Sequence, residues 1–264
     1  MSEARPAELN DAATVILARQ SGPSTLECFM VRRHVNSDFA PDVYVFPGGK
    51  VDPGDRDPEL LRYLDDRPAA KTEVDFVDDD WGFRMAALRE LFEEAGVLLA
   101  TGPDGNTVKV DREPAGAFDG YRRGLHAGDI SLATLAQQAK ILYAPKLLAA
   151  FSHWITPLSF PRRYNTRFFV ATMPEGQKPL HDAVETTHGI WIAPAEALRR
   201  YEEGDFPLVF ATIKQLERMS LFQRLTDMVQ ATRPSDLDPV MPRPIERAGE
   251  TDFLLPWDEG YAEA

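Results

Sequence analysis

The sequence predicts a mixed α/β protein in which helical layers enclose a mixed β-sheet. Apolar residues make up 44% of the 264-residue chain, which is enough for one elaborated domain with a full core. Segments typical of strands are interspersed with segments of helical periodicity, and this order favours a sheet between helices. We expect one domain over residues 1–232 and a proline-rich tail over residues 233–264. The predicted strands are residues 12–17, 26–31, 43–46, 166–172 and 189–192.

The first three strands precede a helix that ends at a glycine. Gly-Pro-Ser at residues 22–24 separates the first two strands, so a hairpin is expected there. A helix is predicted at about residues 81–95, because apolar residues recur at helical spacing and Gly96 follows.

More helices are expected further along the chain. Residues 130–142 and 146–149 have helical character, which suggests a small helical cap within residues 102–149. Another helix begins near residue 194, and residues 206–230 supply one or two more. The five prolines after residue 233 indicate an extended tail that packs on the body, crosses to a partner subunit or stays mobile.

Residues 89–97 read Arg-Glu-Leu-Phe-Glu-Glu-Ala-Gly-Val and place three carboxylates on one face of the predicted helix. Glu90, Glu93 and Glu94 lie near the helix C-terminus, where negative charge is disfavoured. Apolar residues on the opposite face would hold these acids in a fixed, outward orientation. Rigid carboxylates suit Mg²⁺ or Mn²⁺ that shares its other ligand positions with water and substrate phosphates. The alternative is a solvated surface helix in which Arg89 and Glu93 form an ordinary ion pair.

A glycine-rich loop lies upstream, where residues 46–55 read Phe-Pro-Gly-Gly-Lys-Val-Asp-Pro-Gly-Asp. Glycine lets the backbone approach a ligand closely there. Together the two segments resemble the Nudix box, Gly-x5-Glu-x7-Arg-Glu-U-x-Glu-Glu-x-Gly-U with U aliphatic, so the chain is identified as a Nudix hydrolase. The agreement is complete from Arg89 to Val97. Asp55 stands in the place of the first glutamate, and thirty-three residues, 56–88, stand where the pattern has seven.

The insertion at residues 56–88 is acidic in two places and contains two prolines, so much of it is expected to be a solvated excursion. Asp78, Asp79 and Asp80 can cap the helix that follows. Because closure entropy grows only with the logarithm of loop length, the site can survive the insertion.

The long insertion and two later segments resemble the Nudix branch that contains the peroxisomal coenzyme A diphosphatases. The later segments are His-Trp-Ile-Thr-Pro at residues 153–157 and Pro-Arg-Arg-Tyr-Asn-Thr-Arg-Phe-Phe at residues 161–169. The resemblance implies a Nudix-type α/β/α sandwich and cleavage of coenzyme A or acyl-coenzyme A into 3′,5′-ADP and a 4′-phosphopantetheine. A second signature of coenzyme A-cleaving Nudix enzymes departs at two places: Arg33 fits its earlier arginine, but Asp38 and Asp42 replace a later arginine and glycine.

The resemblance also implies roles for single residues. Glu90, Glu93, Glu94 and the carbonyl of Gly48 would bind the metal, and Arg89 would orient the glutamates, while Glu90 or a fourth carboxylate acts as the base. The best candidate for that fourth acid is Glu185, ahead of the last predicted strand, with a plain surface acid as its alternative. The substrate-binding candidates are Arg33, Gly49 and Arg163.

Composition limits the partners. A formal charge of −13 without a basic stripe argues against nucleic acid, but a metal and a few arginines can still bind a small diphosphate substrate. Cys28 is the single cysteine, and no apolar segment approaches the roughly 20 residues of a membrane span. With no signal-peptide pattern at the N-terminus, we expect a cytoplasmic enzyme without membrane contact. Family habit alone makes a homodimer plausible.

Other functions remain open from the sequence. A Nudix pyrophosphatase could act on NADH, ADP-ribose or nucleotide sugars, and a Nudix-fold module could bind a nucleotide without cleaving it. An isomerase on the same fold would need further acid/base groups, often a cysteine, and Cys28 in an apolar strand is a poor candidate. The presence of all three glutamates favours hydrolysis over mere binding.

Overall fold

An eight-stranded mixed sheet forms the centre of the computed structural model, which describes residues 6–37, 40–65, 81–110, 116–182, 184–247 and 249–263. The strands are β1 (Leu9–Gly22), β2 (Thr25–Arg33), β3 (Tyr44–Val45), β4 (Gly48–Lys50), β5 (Ala100–Thr101), β6 (Leu142–Tyr143), β7 (Ala149–Ile155), β8 (Arg163–Thr172), β9 (Thr186–Ile192), β10 (Pro239–Val240), β11 (Arg243–Arg247) and β12 (Glu250–Leu254). The helices are α1 (Trp81–Ala95), α2 (Ala117–His126), α3 (Leu132–Ala139), α4 (Pro194–Glu202), α5 (Phe210–Ser220) and α6 (Leu225–Ala231).

The sheet has the order β10-β7-β8-β1-β2-β3, with β4 also paired to β1 and β9 also paired to β2. β1 and β8 run parallel, whereas β1 pairs antiparallel with both β2 and β4. The predicted hairpin of the first two strands is therefore confirmed. β1 pairs with β2, β4 and β8.

Two hydrophobic clusters cover the two faces of the sheet. Along β1, Val15 packs in the cluster that contains α1, and its neighbour Ile16 packs in the cluster that contains α4 and α5. This alternation follows from the two-residue period of a strand. The predicted α/β/α sandwich with a mixed sheet is thus confirmed.

The boundaries around β7 differ from the prediction. Residues 146–149 were expected to be helical, but a short 3₁₀ helix at Pro145–Leu147 leads directly into β7. The helix expected at residues 130–142 ends at Ala139, because Lys140 adopts a left-handed φ of 54°. Helical periodicity in short apolar runs does not separate a helix turn from a buried strand, so these limits were misplaced.

The C-terminal segment packs on the body, as in the first of the three expected arrangements. β10 adds to the sheet edge by pairing parallel to β7, and β11 and β12 form a hairpin. Leu237 and Leu255 are buried. Pro239 lies in an edge strand, which is where a residue without an N–H is tolerated.

At the start of the insertion, residues 57–62 are exposed except for Leu60, which anchors the segment to the core. Two short 3₁₀ helices, Pro53–Arg56 and Pro58–Tyr63, bury Asp55 and Leu60. The proposed helix caps Asp78, Asp79 and Asp80 lie outside the described residues. In the part of the chain that the structure describes, no helix combines the length and apolar character required to cross a membrane.

Candidate active site

Helix α1 carries the three glutamates, and the helix is buried on nearly all sides. Glu90, Glu93 and Glu94 are exposed by only 9%, 7% and 4%, so the alternative of a solvated surface helix is wrong. The sheet covers one side of α1, while β4, α2 and the first 3₁₀ helix of the insertion contact it elsewhere. The helix ends where Gly96 adopts a φ of 64°, a left-handed conformation that glycine takes without strain.

The glycine pair of β4 lies directly against these glutamates. The amide of Gly48 donates a hydrogen bond of 2.9 Å to Oε2 of Glu94. A Cβ at Gly49 would lie 2.3 Å from Oε1 of Glu90, which is far inside van der Waals contact. Glycine is therefore required at residue 49 by close approach and not by an unusual φ.

Arg89 links the acids to the loop that precedes the insertion. Its Nε and Nη2 each donate a 2.9 Å hydrogen bond to the carboxylate of Asp55. Its Nη1 donates to Oε1 of Glu90 at 2.8 Å and to Oε2 of Glu93 at 3.0 Å, and Nη2 also donates to the carbonyl of Lys50 at 2.8 Å. A planar guanidinium with five donors can satisfy these acceptors together, which an ammonium cannot do.

The buried carboxylates have raised pKa values. Burial raises the pKa of Glu90 to about 8, although the charge of Arg89 opposes the shift. Burial also raises the pKa of Glu93, again against Arg89, and burial together with the charge of Glu90 raises that of Glu94. Each of these carboxyl groups therefore ionises less readily than a solvated one, and a cation beside them would favour the ionised form.

Within the described residues, no three histidine, cysteine, aspartate or glutamate side chains already form a complete set of metal ligands. The three carboxylates are instead held by hydrogen bonds. Arg89 donates to one oxygen each of Glu90 and Glu93, and the amide of Gly48 donates to one oxygen of Glu94.

A cavity of about 770 Å³ opens beside the carboxylates, a size common for small-molecule sites. Arg33, Gly49 and Glu185, all candidates from the sequence, lie on its wall. The Nε of Arg33 is buried and has no hydrogen-bond acceptor among the described residues. The charge of Glu185 raises the pKa values of Glu90 and Glu94, which places this fourth acid near the glutamates.

Comparison with known proteins decides the family. The model of the NUDT19 Nudix domain matches residues 66–219, which is more than half of the chain. The chain belongs to the NUDT19 Nudix domain family. The predictions of a Nudix hydrolase and of this branch are confirmed, and membership assigns the hydrolysis of diphosphate linkages as the reaction class.

Relatives of this Nudix protein match over most of its length. It is 27% identical to the acyl-coenzyme A diphosphatase NUDT19 of Gallus gallus, over 96% of this chain and 80% of the relative. For the Homo sapiens protein of the same name, the identity is 26% over 98% and 82%. A crystal structure of a Nudix hydrolase from Alicyclobacillus acidocaldarius superposes with a TM-score of 0.73 at 25% identity, over 85% of this chain and 97% of that one.

Arg163 lies away from the Nudix cavity, so its predicted role in substrate binding is wrong. Its guanidinium is buried and donates to the carbonyls of Thr156 and Ala7. The next residues of β8 that line the cavity are Tyr164 and Thr166. Since successive strand residues point to opposite faces, Arg163 belongs to the other face of the sheet.

Sequence reasoning missed several residues of the cavity wall. Lys50, Tyr164 and Thr166 line it, and so do residues at the end of α2, in the connection to α3 and at its start, namely Leu125, His126, Ala127, Gly128, Ile130, Ser131 and Leu132. Strand alternation places Tyr164 and Thr166 on one face of β8 and separates Lys50 from Gly49, but it does not say which face meets the cavity, so the sequence alone could not select these residues. The connection between α2 and α3 carries no motif, because it reaches the site only through tertiary packing.

Proposed function

We propose that this Nudix protein hydrolyses the diphosphate of coenzyme A or acyl-coenzyme A with the help of Mg²⁺ or Mn²⁺. The products are 3′,5′-ADP and a 4′-phosphopantetheine, which carries the acyl group when an ester is cleaved. The observation that carries the proposal is the group of buried carboxylates, Glu90, Glu93 and Glu94, beside a cavity that Arg33 and Arg89 also line. The relatives from Gallus gallus and Homo sapiens, both named acyl-coenzyme A diphosphatases, support the choice of substrate.

The donor set fits a divalent cation. Carboxylate oxygens are the ligands that Mg²⁺ and Mn²⁺ prefer, and a bound cation would offset the cost of ionising these buried carboxyl groups. Glu90, Glu93 and Glu94, with the carbonyl of Gly48, would hold it. When bound, such a metal stabilises negative charge on the attacked and leaving phosphate oxygens.

The protein's own residues supply positioning and proton transfer. Water attacks one phosphorus, the bond from that phosphorus to the bridging oxygen breaks, and the bridging oxygen leaves with the electron pair. Glu90 or Glu185 accepts a proton from the attacking water, since both lie on the cavity wall. Arg89 orients Glu90 and Glu93 through its Nη1, and Asp55 fixes Arg89. Arg33 binds a substrate phosphate, since its guanidinium lies on the cavity wall.

The chain departs from the second coenzyme A signature at two residues, and at one of them the backbone keeps a conformation that suits the glycine of the signature. Asp42 replaces the glycine of that signature, and it adopts a φ of 60°, which glycine takes freely and aspartate tolerates better than most residues. Its carboxylate pairs with Arg32 at 2.8 Å. Asp38, at the other departing place, lies outside the described residues.

A substrate panel tests the proposal. The purified protein is incubated with Mg²⁺ or Mn²⁺ and coenzyme A, an acyl-coenzyme A, NADH, ADP-ribose or a nucleoside triphosphate, and products are read by mass spectrometry. We expect 3′,5′-ADP and a phosphopantetheine, and the Glu94→Gln variant should lose turnover while it folds and binds. AMP from NADH or ADP-ribose instead would move the substrate, and unchanged turnover in Glu94→Gln would overturn the assigned site.

A further inference from the structure

One row of side chains crosses three strands at the edge of the cavity. Ala12 of β1 pairs directly with Lys50 of β4 on one side and with Thr166 of β8 on the other. Directly paired residues of neighbouring strands point to the same face of a sheet. Lys50, Ala12 and Thr166 therefore form one row, and all three line the cavity together with Tyr164, two residues before Thr166 on the same face.

This row lies on the opposite face of the sheet from the glutamates. Ala13, which pairs with Gly49, packs in the cluster that contains α1, and a Cβ at Gly49 would meet Glu90. Lys50 is the next residue and points to the other face. β4 has three residues and, among the described strands, pairs only with β1, and the cavity is lined by residues of both faces of the sheet beside it.

The row offers polar groups that the rest of the protein does not use. Lys50 is exposed, and its ammonium makes no hydrogen bond or ion pair with any described residue. The small side chain of Ala12 leaves open space between Lys50 and Thr166, which are about 10 Å apart if each strand spacing is about 4.8 Å. In the next strand, Trp154 pairs with Thr166, and its buried indole N–H has no acceptor within the described chain.

We propose that the row Lys50, Ala12 and Thr166, with Tyr164, is a subsite for the nucleotide half of the substrate, and that Lys50 binds a phosphomonoester outside the cleaved diphosphate. An ammonium is a compact partner for a phosphate dianion. The ring of Tyr164 offers a surface for a base, since every nucleobase has a face that stacks on an aromatic ring. Coenzyme A carries such a monoester on its ribose, so the identity of the ligand rests on the proposed function.

The other wall of the cavity favours this orientation of the substrate. The segment between α2 and α3 contributes Leu125, Ile130 and Leu132, which are apolar. That wall lies on the side of Glu93, because Arg122 of α2 donates a hydrogen bond of 2.7 Å to the carbonyl of Glu93. The nucleotide half therefore lies over the polar row, and the less polar half lies along the α2–α3 segment.

Matched substrates and variants test the subsite. The wild type, Lys50→Met and Lys50→Arg are assayed with coenzyme A and with 3′-dephospho-coenzyme A, which share one diphosphate. Lys50→Met should raise the KM for coenzyme A about tenfold and change the KM for the dephospho substrate less than about twofold, with kcat retained. Lys50→Arg should restore most of the affinity. Lys178→Met, an exposed lysine that does not line the cavity, is the control and should behave as the wild type.

A binding measurement separates this proposal from the substrate assignment. Calorimetry with 3′,5′-ADP and with 5′-AMP should show tighter binding of 3′,5′-ADP to the wild type, and Lys50→Met should abolish that preference. If neither coenzyme is hydrolysed but this preference is seen and is lost in Lys50→Met, the subsite stands and the proposed substrate fails. An equal loss for both nucleotides and both substrates would place Lys50 on the diphosphate and overturn the proposal. Equal binding of the two nucleotides by the wild type would also overturn it.

Discussion

Asp55 and Arg89 are joined by two hydrogen bonds of 2.9 Å across the insertion in the Nudix box. Asp55 is only 1% exposed, and it stands in the place of the first glutamate of the Nudix pattern. Arg89 also donates hydrogen bonds to the carboxylates of Glu90 and Glu93. Burial by itself would lower the pKa of the guanidinium, but the hydrogen bonds to Asp55 and the negative charges of Glu90 and Glu93 raise it further than burial lowers it. Asp55 therefore acts on the glutamates through Arg89.

Replacing Asp55 by asparagine should weaken both the fold and the reaction. The substitution keeps the shape but removes the charge that compensates a buried guanidinium, so the free energy of unfolding should fall by about 3 kcal/mol. We also expect kcat to fall at least about tenfold, because Arg89 is then free to shift Glu90 and Glu93. Urea unfolding and steady-state kinetics measure the two effects.

The control for this prediction is Asp119→Asn. Asp119 pairs with Arg123 on the exposed side of α2, so the loss should be less than about 1 kcal/mol with activity unchanged. Equal effects of Asp55→Asn and Asp119→Asn would show that the Asp55–Arg89 pair contributes no more to stability or activity than an exposed ion pair.

Gly49→Ala should lower activity through Glu90. The added Cβ would lie 2.3 Å from Oε1 and 2.6 Å from the carboxyl carbon of Glu90, so that side chain must move. A displacement of about 1 Å in a catalytic group can cost about 100-fold in rate, and kcat should fall accordingly. Gly120→Ala in α2 is the control, because no atom lies within 4 Å of its Cβ, and it should stabilise the helix by about 0.5–1 kcal/mol. Normal kcat in Gly49→Ala would contradict the close contact.

Local patterns predicted α1 and its glutamates, whereas contacts between distant segments had to come from the structure. The helix over residues 81–95 follows from its own periodicity and from Gly96, and the structure has those bounds. The pair of Asp55 and Arg89 spans the whole insertion, so no spacing rule applies to it. The burial of Glu93 depends on α2, whose Arg122 donates to the carbonyl of Glu93 at 2.7 Å.

The misplaced role of Arg163 has a similar origin. The predicted strand began at residue 166, but β8 begins at Arg163, so the alternation was not extended back to it. With that extension, Tyr164 and Thr166 fall on one face and Arg163 on the other. Choosing which face meets the cavity still requires the pairing of β8 with β1, and that pairing is not encoded in any single segment.

The metal-free protein should lose stability as pH rises from about 4.5 to about 8. Burial raises the pKa of Glu90 from 4.5 to about 8, so the folded state keeps a proton that the unfolded state has released in this range. Stability from this group is complete below pH 4.5 and is lost as pH rises through about 8. In EDTA, we expect a Tm about 5 °C lower at pH 8 than at pH 5.

Two comparisons separate Glu90 from other titrating groups. Glu90→Gln cannot ionise, so its Tm in EDTA should change less with pH than that of the wild type. Mg²⁺ should raise the Tm of the wild type at pH 8 more than at pH 5, because a cation favours the ionised carboxylates. The explanation fails if Glu90→Gln keeps the full pH dependence.

The C-terminal segment should contribute to stability through Leu255. This side chain is 4% exposed and packs in the cluster that contains α4 and α5, so Leu255→Ala should lower the free energy of unfolding by about 2–4 kcal/mol. Trp257, only two residues later, is 67% exposed, and Trp257→Ala should change stability by less than about 0.5 kcal/mol. Urea unfolding compares the two variants. If both variants matched the wild type, the segment after β10 would have to leave the body in solution, because a docked Leu255 cannot be truncated without cost.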